Sequence, residues 1–465
     1  MLENSTPKCK FRIDKIETTT DCLTARGGMV FIARYIESIN IYPLLEPLFG
    51  SIRLSRKGLK VKELFKQLFC FFIDGTSLHL TRFDELAQDS GYASAIETAQ
   101  NKMASSHQIK RFIGAFSFVR NYLFRKLLQE LFIWRLRFTK PPVIMLDLDT
   151  MVMDNDDALK REGVNPTYKK VKGFKPLMLK WGTYVVDAVL RGGSKHCNDG
   201  DTVIKMIEHI VKLIRKEYRE DVPIILTDDS AFYDQANFGV FEKLGIGYVS
   251  GGKIYDDIRK YVKNCPRRQW TDIEKKNQKW EILEFGDCRG TWTKFRRAIF
   301  TRPMYEDKQN LLLFARPERI YYTNLGMGYN VDILLKDAGL EKYNDVEQIV
   351  EMAHHRGADE LVHRGIKDFG CEQLPFKHFE SNTAFFYVML VSFNLMEAFK
   401  EDVSGDVIPK VCYATTFRRN IIDIAAKIVR TGGKIILKVT EYIWKALDVM
   451  KLWDLCNKPP VPAIL

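Results

Sequence analysis

Pro141-Pro142-Val143-Ile144-Met145-Leu146-Asp147-Leu148-Asp149-Thr150 is the stretch on which the reading of this chain turns. The paired prolines end any helix arriving from upstream, because proline has no amide to donate and its ring clashes with the preceding turn. The short apolar run that follows ends in carboxylates, the pattern of a buried strand whose C-terminal end meets solvent. Further strands are predicted at 177–179 and 183–190, the second closing on the turn Arg191-Gly192-Gly193. Next comes a helix with Ile204, Ile207, Ile210 and Leu213 on its inner side and Asp201 placed to cap it. Val222-Pro223-Ile224-Ile225-Leu226-Thr227-Asp228-Asp229 then repeats the opening motif, a strand running into acids, and a helix over 231–244 follows.

Upstream, residues 1–140 read as helical. Apolar positions recur every three or four residues through 61–72 and 109–136, and Ser105-Ser106-His107-Gln108 supplies a cap for the helix after it. Downstream, 251–317 turns basic and tryptophan-bearing, with short alternating runs at 279–285 and 311–314, which predicts a β-rich insertion. Ile320-Tyr321-Tyr322-Thr323-Asn324 restores the strand pattern, helices are expected through 332–336 and 346–366, and 382–447 reads as mainly helical. The division is therefore a helical region over 1–140, one α/β unit in two parts over 141–250 and 318–400, the β-rich insertion at 251–317 between them, and a helical C-terminal region over 401–465.

The 465 residues include 71 Lys and Arg against 59 Asp and Glu, a net charge of +12, while 46% are hydrophobic. That composition excludes a largely disordered chain, and the basic balance points to a polyanionic partner. The excess is concentrated: 159–180 carry seven basic residues and one acid, 258–300 twelve and five, and 410–438 seven and one. These three stretches are where contact with that polyanion is expected, a charge pattern that does not by itself separate nucleic acid from an acidic membrane surface. The apolar run from Phe385 to Phe393 is nine residues, short of the roughly 20 a spanning helix needs, so no membrane partner is expected. Met1-Leu2-Glu3-Asn4-Ser5 does not read as a secretory leader, and the nine cysteines contain no Cys-x-x-Cys pair, which suits reduced thiols and a cytoplasmic protein. Thr431-Gly432-Gly433-Lys434 lacks the glycine spacing of a P-loop.

Chemistry is expected where the acids converge. In a β-β-β-α-β-α order the first strand is central and the fourth lies beside it, so Asp149 and Asp229 come together, and a helix packed on that edge can add Glu360. Three carboxylates need a counter-charge, which hard divalent cations provide through oxygen ligation. Two such ions can activate a water or 3′-hydroxyl and stabilise the leaving oxygen of a phosphodiester. Asp147 and Asp228 compete for these roles; Asp149 and Asp229 are preferred because each directly precedes a hydroxyl residue, Thr150 and Ser230. Arg356, Glu360 and Lys367 fall near one helical face. His354, His355 and His363 lie close by without the His-Glu-x-x-His spacing of a zinc site, and His355 reads as orienting DNA or a carboxylate.

Leu146-Asp147-Leu148-Asp149-Thr150, Leu226-Thr227-Asp228-Asp229-Ser230-Ala231-Phe232, Tyr322-Thr323-Asn324-Leu325 and Arg356-x3-Glu360-x6-Lys367 together resemble the DDE transposases of bacterial insertion sequences. In that family the Glu sits in a Tyr-x2-Arg-x3-Glu-x6-Lys signature. Here the Tyr position is Ala353, and Ala231 stands where Gly is usual. The likeness runs from about 140 to 400 and extends to Asn382 and Asn394. It implies an RNase H-like catalytic core, a mixed sheet with flanking helices, interrupted by the β-rich insertion. The 131 residues from Asp229 to Glu360, against 80 from Asp149 to Asp229, leave room for that insertion.

By the same resemblance, Asp149, Asp229 and Glu360 are catalytic and hold two Mg²⁺ ions, with Mn²⁺ as a substitute. Arg356 and Lys367 hold phosphates near the cleaved end. Trp292, flanked by Lys294, Arg296 and Arg297, is the first choice to stack on a flipped base, ahead of Trp270 and Trp280. The implied activity is cleavage of insertion-sequence ends and joining of their 3′-hydroxyls to target DNA. The implied partners are double-stranded DNA (terminal inverted repeats and target) and a second copy of the chain, in a bacterial, nucleoid-associated setting. DNA ends are the expected ligand of the helical region over 1–140. The alternatives are a metal-dependent nuclease that does not join strands, or a transposase-derived DNA-binding protein without catalysis.

Overall fold

The computed structural model describes residues 13, 15–52, 57–158, 160–196, 200–275, 278–304 and 318–464, with the side chains of 275 and 356–360 outside the described set. The N-terminal part is helical. After a short strand β1 (Cys22–Thr24) it includes α1 (Met29–Ser38), α2 (Val61–Asp74), α3 (Ser106–Gly114) and α4 (Phe118–Thr139). The Ser105 hydroxyl accepts from the Gln108 amide, and the Gln108 side chain accepts from the Ser105 amide at 2.8 Å, so α3 starts with a closed capping box. Lys140 adopts a left-handed conformation (φ 48°) and ends α4 just before the two prolines.

β2 (Ile144–Thr150) follows, with every residue from Leu146 to Leu148 buried. Three short strands, β3 (Met153–Asp154), β4 (Asn165–Pro166) and β5 (Lys172–Phe174), then form a small sheet that the sequence pattern did not signal. The chain continues through β6 (Leu177–Trp181), β7 (Tyr184–Val189), α5 (Thr202–Glu217), β8 (Ile224–Asp228), α6 (Gln235–Lys243) and β9 (Gly247–Gly251). Their order in the sheet is β7-β6-β2-β8-β9, with β6 antiparallel to β2 and to β7, and β8 parallel to β2 and to β9. β2 is thus central with β8 beside it, and the chain is α/β with an RNase H-like core. One cap and one helix start differ from the expectation. Asp201 occupies the N-cap of α5, but its carboxylate pairs with Lys205 at 2.9 Å. α6 starts at Gln235 because the Asp234 carboxylate caps the Ala236 amide at 2.7 Å.

The stretch expected as an insertion carries α7 (Asp256–Asn264) and three strands, β10 (Trp270–Lys275), β11 (Gln278–Asp287) and β12 (Arg296–Met304). The run at 311–314 lies outside the described residues. These strands extend the core sheet: β13 (Arg319–Thr323) pairs with β9, and the antiparallel order continues β13-β12-β11-β10 to make nine strands. α8 (Val346–Phe369) packs against β8, β9 and β12. α9 (Phe379–Phe399) is buried at every residue from Ser381 to Phe399, as a helix apolar on all sides must be. Its Asn394 accepts from Val185 N (3.0 Å) and donates to Val185 O (2.8 Å), serving the edge strand β7 as a neighbouring strand would. Among the described residues no helix is long and apolar enough to cross a membrane.

The C-terminal part departs from the helical expectation. β14 (Ala426–Thr431) and β15 (Lys434–Lys438) form a hairpin, and β14 also pairs with β1. Gly432 and Gly433 both take positive φ (54° and 75°), the conformation of a two-residue hairpin turn. The signal was in the sequence, as Gly-Gly between two β-branched runs.

Candidate active site

Asp149 and Asp229 arrive at one place because of register. Leu148 on β2 pairs with Asp228 on the parallel β8, so the next positions, Asp149 and Asp229, emerge side by side at the C-terminal ends of neighbouring strands, about 4.8 Å apart by strand spacing. Both are half-buried and line one groove of about 1400 Å³. Each carboxylate is held through one oxygen by a backbone amide: Thr150 N donates to Asp149 Oδ1 at 2.6 Å, and Ala231 N donates to Asp229 Oδ1 at 2.8 Å. The other two acids of the motifs take different work. Asp147 is buried against Lys180 of β6 (2.8 Å) and accepts from the Thr227 hydroxyl at 3.1 Å. Asp228 is buried and accepts from Ser250 of β9.

α8 forms the wall opposite the strand ends. Ala353, His354, Leu361, His363, Arg364 and Lys367 of this helix line the groove. Position 360 precedes His363 by three residues and Lys367 by seven, the helical spacing that keeps residues on one face. The side chains of Glu360 and Arg356 lie outside the described residues. His363 Nδ1 stands 3.7 Å from Asp149 Oδ2. This imidazole, and not the exposed His355, is the one at the carboxylate. His354 instead packs on Trp280, ring centroids 4.5 Å apart. Lys367 Nζ pairs with Glu372 at 2.6 Å while lining the groove.

Trp292, Arg296 and Arg297 do not line the groove. Trp292 packs among Tyr233, Phe238 and Tyr322, with the Arg296 guanidinium 4.9 Å from its ring centre. Arg296 is only 3% exposed and pairs with Glu242. Arg297 donates to Leu325 O and Asn344 O, both at 2.8 Å, and to Glu284. These arginines open β12, where alternation sends successive side chains to opposite faces and their aliphatic stems cover the sheet. A basic cluster in sequence is therefore internal bracing in space. Trp270 is likewise buried, under Arg302 at 4.2 Å. Of the three tryptophans considered, Trp280 is the one in the groove.

Sequence reasoning missed Tyr168, Lys169, Lys253, Arg259, Arg319 and Arg364, which place five cations and an aromatic around the two aspartates. Lys169 and Arg259 lie within the basic stretches 159–180 and 258–300, and Arg364 stands four residues after Glu360, so charge density and helical spacing pointed toward them. The donor set suits a hard divalent cation: carboxylate oxygens, part-exposed and orientated, ringed by cations that would steady an anionic ligand. Among the described residues no three His, Cys, Asp or Glu side chains form a metal-holding group, and Glu360, the third carboxylate of the expected set, is not among those described.

An RNase H-like sheet with two acids at adjacent strand ends defines the class. The family model described as transposase DDE domain group 1 matches residues 11–452. The chain belongs to that family, the DDE transposases. No curated protein of similar sequence was found. Among solved structures, a piggyBac transposase in a synaptic complex with hairpin DNA is similar, with 13% identity, 87% of this chain and 82% of that chain covered, and a TM-score of 0.39.

Proposed function

We propose that this transposase cleaves the ends of a bacterial insertion sequence and joins the freed 3′-hydroxyls to target DNA. The observation that carries the reading is the placement of Asp149 and Asp229 at adjacent strand ends in a groove walled by the helix of Glu360. Asp149, Asp229 and Glu360 would hold two Mg²⁺ ions, or Mn²⁺ in their place, which supply activation of the attacking oxygen and charge neutralisation at the leaving one. The backbone amides of Thr150 and Ala231 fix the two aspartates before any ligand arrives, so little reorganisation is needed at the moment of reaction. His363 stands beside the second oxygen of Asp149, within reach of a ligand held there. Lys169, Arg259, Arg364 and Lys367 hold the phosphates on either side of the scissile bond. Trp280, in place of the expected Trp292, is the residue to stack on a base, because it lines the groove. Phosphodiester exchange at such a site passes from water to 3′-hydroxyl as attacking group, with no covalent bond to the protein, and two copies of the chain would bring two ends together.

Glu360→Gln tests the assignment. It retains duplex binding and loses Mg²⁺- or Mn²⁺-dependent strand cleavage by about a thousandfold, the scale of removing one main source of transition-state stabilisation. Full cleavage by this variant would sink the reading. A strand-transfer assay with precut ends separates a transposase, which yields joined product, from a nuclease, which does not.

A further inference from the structure

The β14–β15 hairpin stands far from the carboxylates in sequence and has no part in the site. From Ala426 to Lys438 it carries Lys427, Arg430, Lys434 and Lys438 and no acid. Only its base is tied down: β1 pairs with Ala426 to Ile428, and the partners beyond, Val429 with Ile436 through Thr431 with Lys434, continue as a two-stranded ribbon. One face of that base is buried, through Ala426 and Ile428. The other face presents Lys427, Thr431, Lys434 and Lys438, all exposed, around Val429 and Ile436. At the tip a side-chain carbon on Gly432 or Gly433 would meet nothing within 4 Å.

Lys427 and Lys438 are direct cross-strand partners, and like charges in that position destabilise a hairpin. Lys427 has Asp21 at 2.9 Å, but among the described residues Arg430, Lys434 and Lys438 have no ion-pair partner. The ribbon therefore lacks an anion. β15 is also an open sheet edge with Ile435 63% exposed, so a second copy pairing along it is the rival occupant. Charge decides between them. Antiparallel self-pairing centred on Ile436 would set Lys434 of each copy against Lys438 of the other, and edge lysines are a recognised barrier to such pairing. A duplex supplies phosphates on both sides of a major groove about 12 Å wide, which admits a two-stranded ribbon.

We propose that the β14–β15 hairpin is a DNA-contacting arm that enters the major groove of duplex DNA, its lysines on the flanking phosphates and its two-glycine tip allowing close backbone approach. This rests on the transposase reading and adds the element by which the chain grips DNA away from the cleavage site.

The test is Lys434→Gln with Lys438→Gln in the full-length chain, measured by fluorescence anisotropy on a mixed-sequence duplex a few helical turns long, across a range of salt. Each phosphate contact contributes about 0.9 to the slope of log affinity against log salt, so the double variant should bind roughly tenfold more weakly at low salt with a slope shallower by about 1.8. Equal affinity and slope in wild type and variant, with unchanged thermal stability, overturn the arm and leave the transposase reading standing. No duplex binding by either protein overturns the reading beneath it. A variant that changes sedimentation from dimer to monomer with DNA binding intact gives the edge to a second copy and overturns the proposal as well.

Discussion

Four aspartates stand at two strand endings, and their fates differ by where each side chain meets the next strand. Asp147 faces Lys180, which is fully buried on β6, whereas Asp149, two residues on, reaches the rim of the groove. Asp147→Asn removes the carboxylate that sits 2.8 Å from a buried ammonium, and the expected loss is about 3–5 kcal/mol in unfolding free energy by urea titration. Asp149→Asn keeps an oxygen to accept from the Thr150 amide and should cost less than Asp147→Asn in the same titration while abolishing metal-dependent cleavage. The reverse pattern would exchange their roles. Hydroxyl neighbours in the sequence favoured Asp149 and Asp229, but the ion pair with Lys180 and the Ser250 bond to Asp228 exist only across strands, where no local pattern records them.

At the scale of elements, the signals that held were those whose cause is local. The capping box of α3 closes as its four residues suggested, and an acid from elsewhere reinforces it: Asp84 accepts from Ser106 N at 2.8 Å and from Ser106 Oγ at 2.6 Å. Those two bonds hold the Asp84 carboxyl below its usual value. A depressed carboxyl contributes stability that is complete above the unfolded value of about 4 and is lost as pH falls through the folded one. Asp84→Asn should therefore flatten the acid side of the stability profile, the urea midpoint falling less between pH 5 and about 2.5 than in wild type; an unchanged acid slope would count against it. Where the local signal misled, periodicity was the reason. The arginines of β12 read as a basic patch until strand alternation buried Arg296, and the hairpin β14–β15 read as helix because its short runs sit in a helical neighbourhood.

Across the whole molecule, the helical parts at the two ends of the chain are one body. A single apolar cluster joins α1, α2 and α4 to α9 and to the C-terminal residues Leu452, Cys456 and Ile464, and it reaches the sheet through Val185 and Ala188 of β7. Polar bonds lock the same assembly. Arg135 of α4 is buried and pairs with Asp402 at 2.8 Å and Glu401 at 2.6 Å, while the Tyr35 hydroxyl of α1 donates to Asp402. Asp402→Ala leaves the Arg135 guanidinium with Glu401 as its remaining ion-pair partner and takes the acceptor from the Tyr35 hydroxyl, and the expected cost is about 1–3 kcal/mol. Calorimetry should show the loss in the transition of the whole chain, since both ends share the core; a separate low-temperature transition of the C-terminal part would contradict that.

What the sequence determined by itself is the two strands that end in acids, the strands at 177–190 and the helix that leads from them to the second acidic strand, because strand periodicity, proline breaks and helix spacing are properties of neighbours along the chain. Tertiary structure alone decided which basic residues surround those acids, that Trp280 and not Trp292 faces the groove, that His363 stands over Asp149, and that the insertion strands prolong the core sheet. Each of these depends on which segments pair across long separations. Burial and register, fixed by the packing of the entire chain, assign the same arginine to a groove wall or to the underside of a sheet.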